Sequence, residues 1–236
     1  YIGNLPELRY IREDEGYIAL GGNVTYREMS HDPICQNVTG LMNAIAHLGS
    51  PSVRAVATPA GNVGTAAPAA DCATMLMTLG ADVVLVNSKG ERTVSLKDFY
   101  LGRNRTIKQA DEIIREIRFP AIRQGEGTGY CKAARRKAQD IGKILAGVRV
   151  HLEKNILTEA AISLGALNAK IVRAASLEEA IKGMEKSEAY QYLKQNFPAE
   201  AGLRDSYFKE YKESVTKAIV AQAFSRAIAD AEKERF

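Results

Sequence analysis

The sequence predicts an α+β fold: antiparallel strands in two sets, with helices laid against them. Three observations carry that reading. Strand-forming runs come in pairs joined by short polar turns, residues 81–86 with 92–96 and residues 144–152 with 157–164. Apolar residues recur at helical spacing in other stretches, as in Val38, Leu41, Met42 and Ile45. A glycine-rich polar stretch, residues 123–129, separates two halves of different character, which places one domain at 1–122 and a second at 123–236.

The elements follow in order. Residues 5–11 and 16–21 read as a strand pair, with Arg12-Glu13-Asp14-Glu15 as the turn. Thr25 caps a helix over residues 26–30, which His31, Asp32 and Pro33 end. Asn37 caps the next helix, and Gly49 followed by Ser50-Pro51 stops it. His47, in its last turn, reads as a solvated histidine near a helix C-terminus. A run of small residues from Val53 leads to Asp71, where a short helix carrying Met75, Leu76 and Leu79 starts. The hairpin of residues 81–96 comes next, its strands joined by Asn87-Ser88-Lys89-Gly90, and then a strand over residues 113–119 that Pro120 stops.

The glycine-rich stretch 123–129 suits a linker or a hairpin tip. Residues 130–134, 144–152 and 157–164 then form one antiparallel sheet, with Glu153-Lys154-Asn155 turning between the last two strands. Ser176 and Glu179 read as a capping box. Helices follow over residues 187–195 and from Tyr207 towards the C-terminus. In the last one Phe208, Tyr211, Val215, Ala218, Ile219 and Ala223 share a face.

Composition narrows the function. The chain has 236 residues, 46% of them hydrophobic, and a net charge of +4 from 32 basic and 28 acidic residues. So slight and dispersed an excess points to no nucleic-acid surface. No stretch has the apolar length of a membrane span. The three cysteines, Cys35, Cys72 and Cys131, form no C-x-x-C pair. They suit a reducing, cytoplasmic setting and cannot ligate iron–sulfur clusters, which need closely spaced thiolates. No metal-ligand spacing, phosphate-binding Walker loop or nucleophile elbow is present, so no residue is assigned a catalytic or metal-ligating role.

The small-residue run, residues 53–71, is the most distinctive stretch. It lacks the bulk to build a core. With few side chains in the way, it lets a ligand lie against backbone. Thr58, Asn62 and Thr65 place polar groups along it, and Asp71 closes it. Asp71 reads as a helix cap, as a carboxylate accepting from ligand hydroxyls, or as both. Tyr130 and Lys132 lie on one face of a strand, ahead of Arg135, Arg136 and Lys137. By themselves Leu48 and Ile114 read as core, and His151 as a satisfied sheet residue.

The order Val-Arg-x-x-x-Thr-x-x-Gly-Asn, then Pro-x-x-Asp, resembles the second flavin-binding loop of the FAD subunit of the molybdenum hydroxylases, the xanthine dehydrogenase and carbon monoxide dehydrogenase family. Arg54, Thr58, Gly61, Asn62, Pro68 and Asp71 match its pattern, whereas Ala55, Ala57 and Ala60 depart from it. Residues 18–25, the strand over 113–119 followed by Pro120, Tyr130-x-Lys132 with its basic continuation, and Arg204-Asp205-Ser206 with Tyr211-Lys212 resemble further family segments. The resemblance covers residues 5–223 or nearly so.

This resemblance implies a PCMH-type FAD-binding lobe followed by a C-terminal domain whose antiparallel sheet is packed by helices. It implies FAD as the cofactor, with Leu48, Thr58, Pro59, Ala60, Gly61, Asn62, Thr65, Asp71, Ile114, Tyr130 and Lys132 as its contacts. It also implies an oxidoreductase subunit that passes electrons between the [2Fe–2S] clusters of a partner subunit and NAD⁺, or another acceptor, beside a molybdopterin subunit. A cation near the acidic N1 side of a flavin tunes its potential. Family members carry an earlier lobe with a glycine-rich pyrophosphate loop. No such loop is found here, so weak FAD binding is expected of this chain alone. Two other readings stand beside this one: a non-catalytic remnant serving as an assembly surface, and a flavin reductase of the same fold.

Overall fold

A computed structural model describes residues 2–136, 139–203 and 209–234. Every strand pairing among them is antiparallel, and helices cover the sheets, so the fold is α+β. No helix among them is long and apolar enough to cross a membrane.

The first strand pair is shifted from its expected place. β1 (Ile11–Asp14) and β2 (Tyr17–Gly21) meet through Glu15 and Gly16, whose φ values of 49° and 77° make the turn. Residues 5–11 were expected as strand, but Pro6 opens a short 3-10 turn, Pro6–Leu8. The polar residues 12–14 belong to the ladder, because β1 is an edge strand with one face in water.

Thr25 caps α1 (Tyr26–His31) in a full capping box with Glu28. Asp32 caps α2 (Pro33–Gln36), and Asn37 ends that helix instead of starting the next. α3 (Thr39–Ala46) begins after Val38 without a side-chain cap and buries Leu41 and Ile45. Ser50 caps α4 (Pro51–Arg54).

The small-residue run was expected to be open backbone, and it folds otherwise. α5 (Pro59–Thr65) lies within it, capped by Thr58, whose Oγ1 accepts from the Gly61 N–H at 3.0 Å. A threonine followed by proline is a helix start. α6 (Asp71–Thr78) follows, with Ala70 at its cap and Asp71 in its first turn, so Asp71 is not the cap itself.

β3 (Asp82–Asn87) and β4 (Gly90–Ser95) form the expected hairpin. α7 (Leu96–Phe99) and the small pair β5 (Tyr100–Gly102) and β6 (Arg105–Thr106) lead to β7 (Ile113–Pro120). β7 joins the first sheet in the order β1-β2-β7-β3-β4, and the helices bury its inner face.

The glycine-rich stretch is not a linker. Its later residues form β8 (Glu126–Ala133), the start of a second sheet with β9 (Ile144–Glu153), β10 (Ile156–Gly165) and β11 (Val172–Arg173), in the order β11-β10-β9-β8. α8 (Ala175–Ile181) is capped by Ala174, so the expected Ser176–Glu179 box is absent. Glu200 takes both the Ser176 N–H and its hydroxyl instead. α9 (Lys186–Gln195) is capped by Glu185.

α10 (Lys209–Ala231) packs along β8 and β9. It buries Thr216, Val220, Ala223, Phe224, Ala227 and Ala231; of the face read from sequence Ala223 is buried and Val215 and Ile219 pack at its edge. Tyr211 is 65% exposed and Ala218 is also on the solvent side. Polar Thr216 and Asp230 on the buried face disguised its stripe. Tyr207, Phe208, the Arg204-Asp205-Ser206 segment and Lys137 lie outside the described residues.

The glycines of β8 let α10 come this close. A Cβ on Gly127 would sit 2.0 Å from the Ala227 carbonyl oxygen, and one on Gly129 2.1 Å from that of Ala223. Both obstacles are backbone, which cannot swing aside. Asp230 of α10 then clasps three elements. One oxygen accepts from the Thr39 hydroxyl of α3 at 2.6 Å, and the other from the Thr128 N–H of β8 at 2.9 Å.

Gly129→Ala is expected to destabilise the fold by about 2–3 kcal/mol or more, since helix and strand must part. Gly102→Ala, where a Cβ meets nothing, is expected to change stability by less than about 0.5 kcal/mol. Urea denaturation followed by circular dichroism measures both.

Candidate functional site

The site forms where the two halves meet. Strand alternation puts Tyr130 and Lys132 on one face of β8. Opposite them stands Asp71, the first residue of α6. Its Oδ1 accepts from the Tyr130 hydroxyl at 2.5 Å and pairs with the Lys132 ammonium at 2.9 Å. Lys132 Nζ also donates to the His47 carbonyl at 3.2 Å, at the end of α3. The side chains of Lys132 and Asp71 are only 6% and 11% exposed.

Burial sets the chemistry of these groups. Desolvation and the adjacent Asp71 hold the Tyr130 phenol far above its ordinary range, so it stays a donor. Burial likewise pushes the Cys72 thiol up to about 12, which leaves it an inert core residue.

A cleft of about 410 Å³ opens above Lys132, lined also by His47, Ala134, Arg135, Arg136, Gln139 and Asp140. Asp140 is occupied internally: one oxygen accepts from the Arg135 and Arg136 N–H groups, and the other from Ile141. Those bonds hold its carboxyl below the ordinary range. The Arg135 and Arg136 side chains, 77% and 70% exposed, lie 3.9 and 3.8 Å from the Asp140 carboxylate, and two guanidinium groups against one carboxylate leave the rim net positive.

The other expected site residues lie around α5. Thr58 is spent on its cap, and the Thr65 hydroxyl donates to the Gly61 carbonyl at 2.8 Å. Asn62 Oδ1 accepts from the Ala73 N–H at 3.2 Å, which fastens α5 to the first turns of α6. Pro59 and Ala60 turn into the core. Each of these three side chains therefore makes one bond within the protein. What α5 offers outward is backbone at exposed Gly61 and Gly64. Leu48 and Ile114 are 8% and 7% exposed, and Ile114 lies under Gly64.

Tyr130, an expected contact, is wholly buried and donates to Asp71. His47 stands at the C-terminal end of α3 as expected, half-buried beside the cleft, and its backbone carbonyl also accepts from Lys132. No pattern in the sequence marks a backbone carbonyl for such a role.

The residues present suit an elongated anionic dinucleotide. The exposed glycine backbone of α5 adjoins the start of α6, whose first residue Asp71 pairs with a lysine below a cationic cleft. That combination fits FAD. Among the described residues, no group of three or more His, Cys, Asp or Glu side chains could hold a metal.

Comparison with known proteins agrees with this geometry. The family model described as "FAD binding domain in molybdopterin dehydrogenase" matches residues 1–122. That described as "CO dehydrogenase flavoprotein C-terminal domain" matches residues 129–227. The nicotinate dehydrogenase FAD-subunit of Eubacterium barkeri is 33% identical over 156 residues, which is 64% of this chain but only 53% of that protein. A putative xanthine dehydrogenase FAD-binding subunit of Escherichia coli K12 is 25% identical over 236 residues, 96% of this chain and 81% of that one. A solved structure of carbon monoxide dehydrogenase from Hydrogenophaga pseudoflava aligns with a TM-score of 0.88 at 27% identity, over 95% of this chain and 79% of its own.

Asp71→Ala is expected to cost about 3–5 kcal/mol, because it strands a buried ammonium. Asp71→Ala combined with Lys132→Met is expected to recover most of that loss. Chemical denaturation of the single and double variants measures it.

Proposed function

The chain belongs to the FAD-binding, medium-subunit family of the molybdenum hydroxylases, the xanthine dehydrogenase and carbon monoxide dehydrogenase group, and on that premise we propose that it passes electrons between the [2Fe–2S] clusters of a partner subunit and NAD⁺. The molybdopterin centre that acts on the substrate would lie in a further subunit. The observation that carries this reading is the Asp71–Lys132 pair beneath the cationic cleft.

Bound FAD would couple two-electron exchange with a nicotinamide to one-electron exchange with iron–sulfur clusters. The chain's own residues would bind and orient it. Exposed Gly61 and Gly64 let a ligand approach the α5 backbone without side-chain obstruction. Leu48 and Ile114 offer apolar edges, and Asp71 and Lys132 a paired acceptor and donor. Arg135 and Arg136 raise the positive potential that draws an anionic cofactor or dinucleotide inward.

The alternative of an assembly surface without electron transfer makes a different prediction. Co-purified with its complex, this subunit is expected to carry FAD and to support NADH-dependent reduction of a dye. Lys132→Met is expected to lower both FAD affinity and dye reduction about tenfold or more. Stoichiometric FAD with no response to NADH would remove NAD⁺ as the acceptor. A complex that assembles without flavin would favour the assembly reading.

A further inference from the structure

The buried end of the site contains a group that the electron-transfer reading leaves without a task. Tyr130 is fully buried, and its hydroxyl donates to a side chain of the other half, the same Asp71 oxygen that pairs with Lys132. We propose that Tyr130 is a positioning residue for the flavin site, fixing Asp71 so that Lys132 presents one N–H of a neutral pair to the cleft, not a free cation. This rests on the function proposed above and extends it.

The donor count supports the proposal. An ammonium has three N–H donors. The His47 carbonyl takes one, and Asp71 Oδ1 stands 2.9 Å from the nitrogen as its ion partner, which leaves donor capacity for a ligand. A hydrogen bond from Tyr130 and an ion pair with Lys132, both at one carboxylate oxygen, together fix the rotation of that carboxylate. The phenol remains protonated throughout the working range, since burial and Asp71 oppose its ionisation.

The strand that carries Tyr130 is itself clamped. Arg226 of α10 donates to the Tyr130 carbonyl at 2.6 Å, and Gly129 sits flush against the α10 backbone. The rings of His47 and Tyr130 lie 6.3 Å apart. Backbone, ring and hydroxyl are thus held from three sides. Nothing in this arrangement offers the Tyr130 ring to a ligand, so its effect must travel through Asp71.

The arrangement has an electrostatic consequence. A lone buried lysine would favour negative charge on whatever lies over it. A lysine paired at 2.9 Å with a carboxylate contributes a dipole, whose field falls faster with distance. Orientation then matters more than net charge, and orientation is what a phenol pinned to the carboxylate controls.

Competitive labelling of lysines with an amine-reactive reagent on the full chain, read by mass spectrometry, tests this without a flavin. Lys170, whose Nζ bonds the Tyr100 carbonyl at 3.3 Å, serves as the internal control. Tyr130→Phe is expected to raise the labelling rate of Lys132 roughly tenfold and leave Lys170 unchanged. In an Asp71→Asn background the same substitution is expected to add less than about twofold, because the phenol acts through the carboxylate. A Tyr130→Phe rate within about twofold of wild type overturns the proposal, as does an equal rise at Lys170, which would mark general loosening.

Titrating the same proteins with FAD gives the second readout, with weaker binding by Tyr130→Phe expected. Wild-type binding that Tyr130→Phe leaves unchanged overturns the link to the cofactor. If the wild type, within its complex, binds no FAD, the flavin reading itself fails. The labelling ratio then still decides whether Tyr130 positions Lys132.

Discussion

A carboxylate and an ammonium, both almost out of water, cannot be left apart. Each would cost several kcal/mol if buried alone, and the pair is tolerable only at hydrogen-bond distance with its remaining donors satisfied. Asp71 begins a helix of the first lobe, and Lys132 stands on a strand of the second sheet. Keeping them at 2.9 Å therefore fixes how the two halves meet. The first core accordingly includes Tyr130 and Leu145 from the second sheet, so its hydrophobic packing crosses the same line.

The strand that bears Lys132 reaches that position because it is nearly stripped of bulk at its start. With glycine at 127 and 129, α10 settles directly on β8. On the other face Gly40 of α3 donates to the Thr128 hydroxyl at 2.9 Å, and a Cβ on Gly40 would come within 3.0 Å of β8. β8 is an edge strand by pairing, yet helices cover both of its faces. Asp230 completes the clamp by bonding α3 and β8 from the end of α10. The lysine is thus placed by backbone contacts on either side, and its own flexible stem needs to supply little order.

Much of this was legible in the sequence where local chemistry decides the outcome. The β3–β4 and β9–β10 hairpins, the Thr25 cap and the strand over residues 113–119 follow from alternation, turn residues and a capping hydroxyl. The errors occur where a residue answers to a distant partner. Glycines 127 and 129 resemble a linker because nothing local says that a helix a hundred positions on will rest against them. Ser176 resembles a cap until Glu200 takes its donors. The face of α10 is only partly legible because Asp230 is buried to bond α3 and β8, partners that its own helix does not reveal. At the site, Asp71 and Lys132 were named singly, but periodicity could not show that they are partners.

The departures from the family's loop pattern can now be weighed by position. Ala60 is 5% exposed and points into the core, so its methyl group takes no space from the outer face of α5. Ala57 packs on the same core, and its carbonyl accepts the Tyr26 N–H that joins α4 to α1. Gly61, which matches the pattern, is exposed, as is Gly64 beyond it, and a Cβ added at either would meet only the Thr58 hydroxyl or the tip of Ile114. Extra methyl groups have therefore entered where the protein touches itself, and bare backbone has been kept where a ligand would touch the protein. A loop relieved of ligand binding would have no reason to keep that division. The substitutions at 57 and 60 thus fit a chain that tightens its own packing while holding its outward surface open.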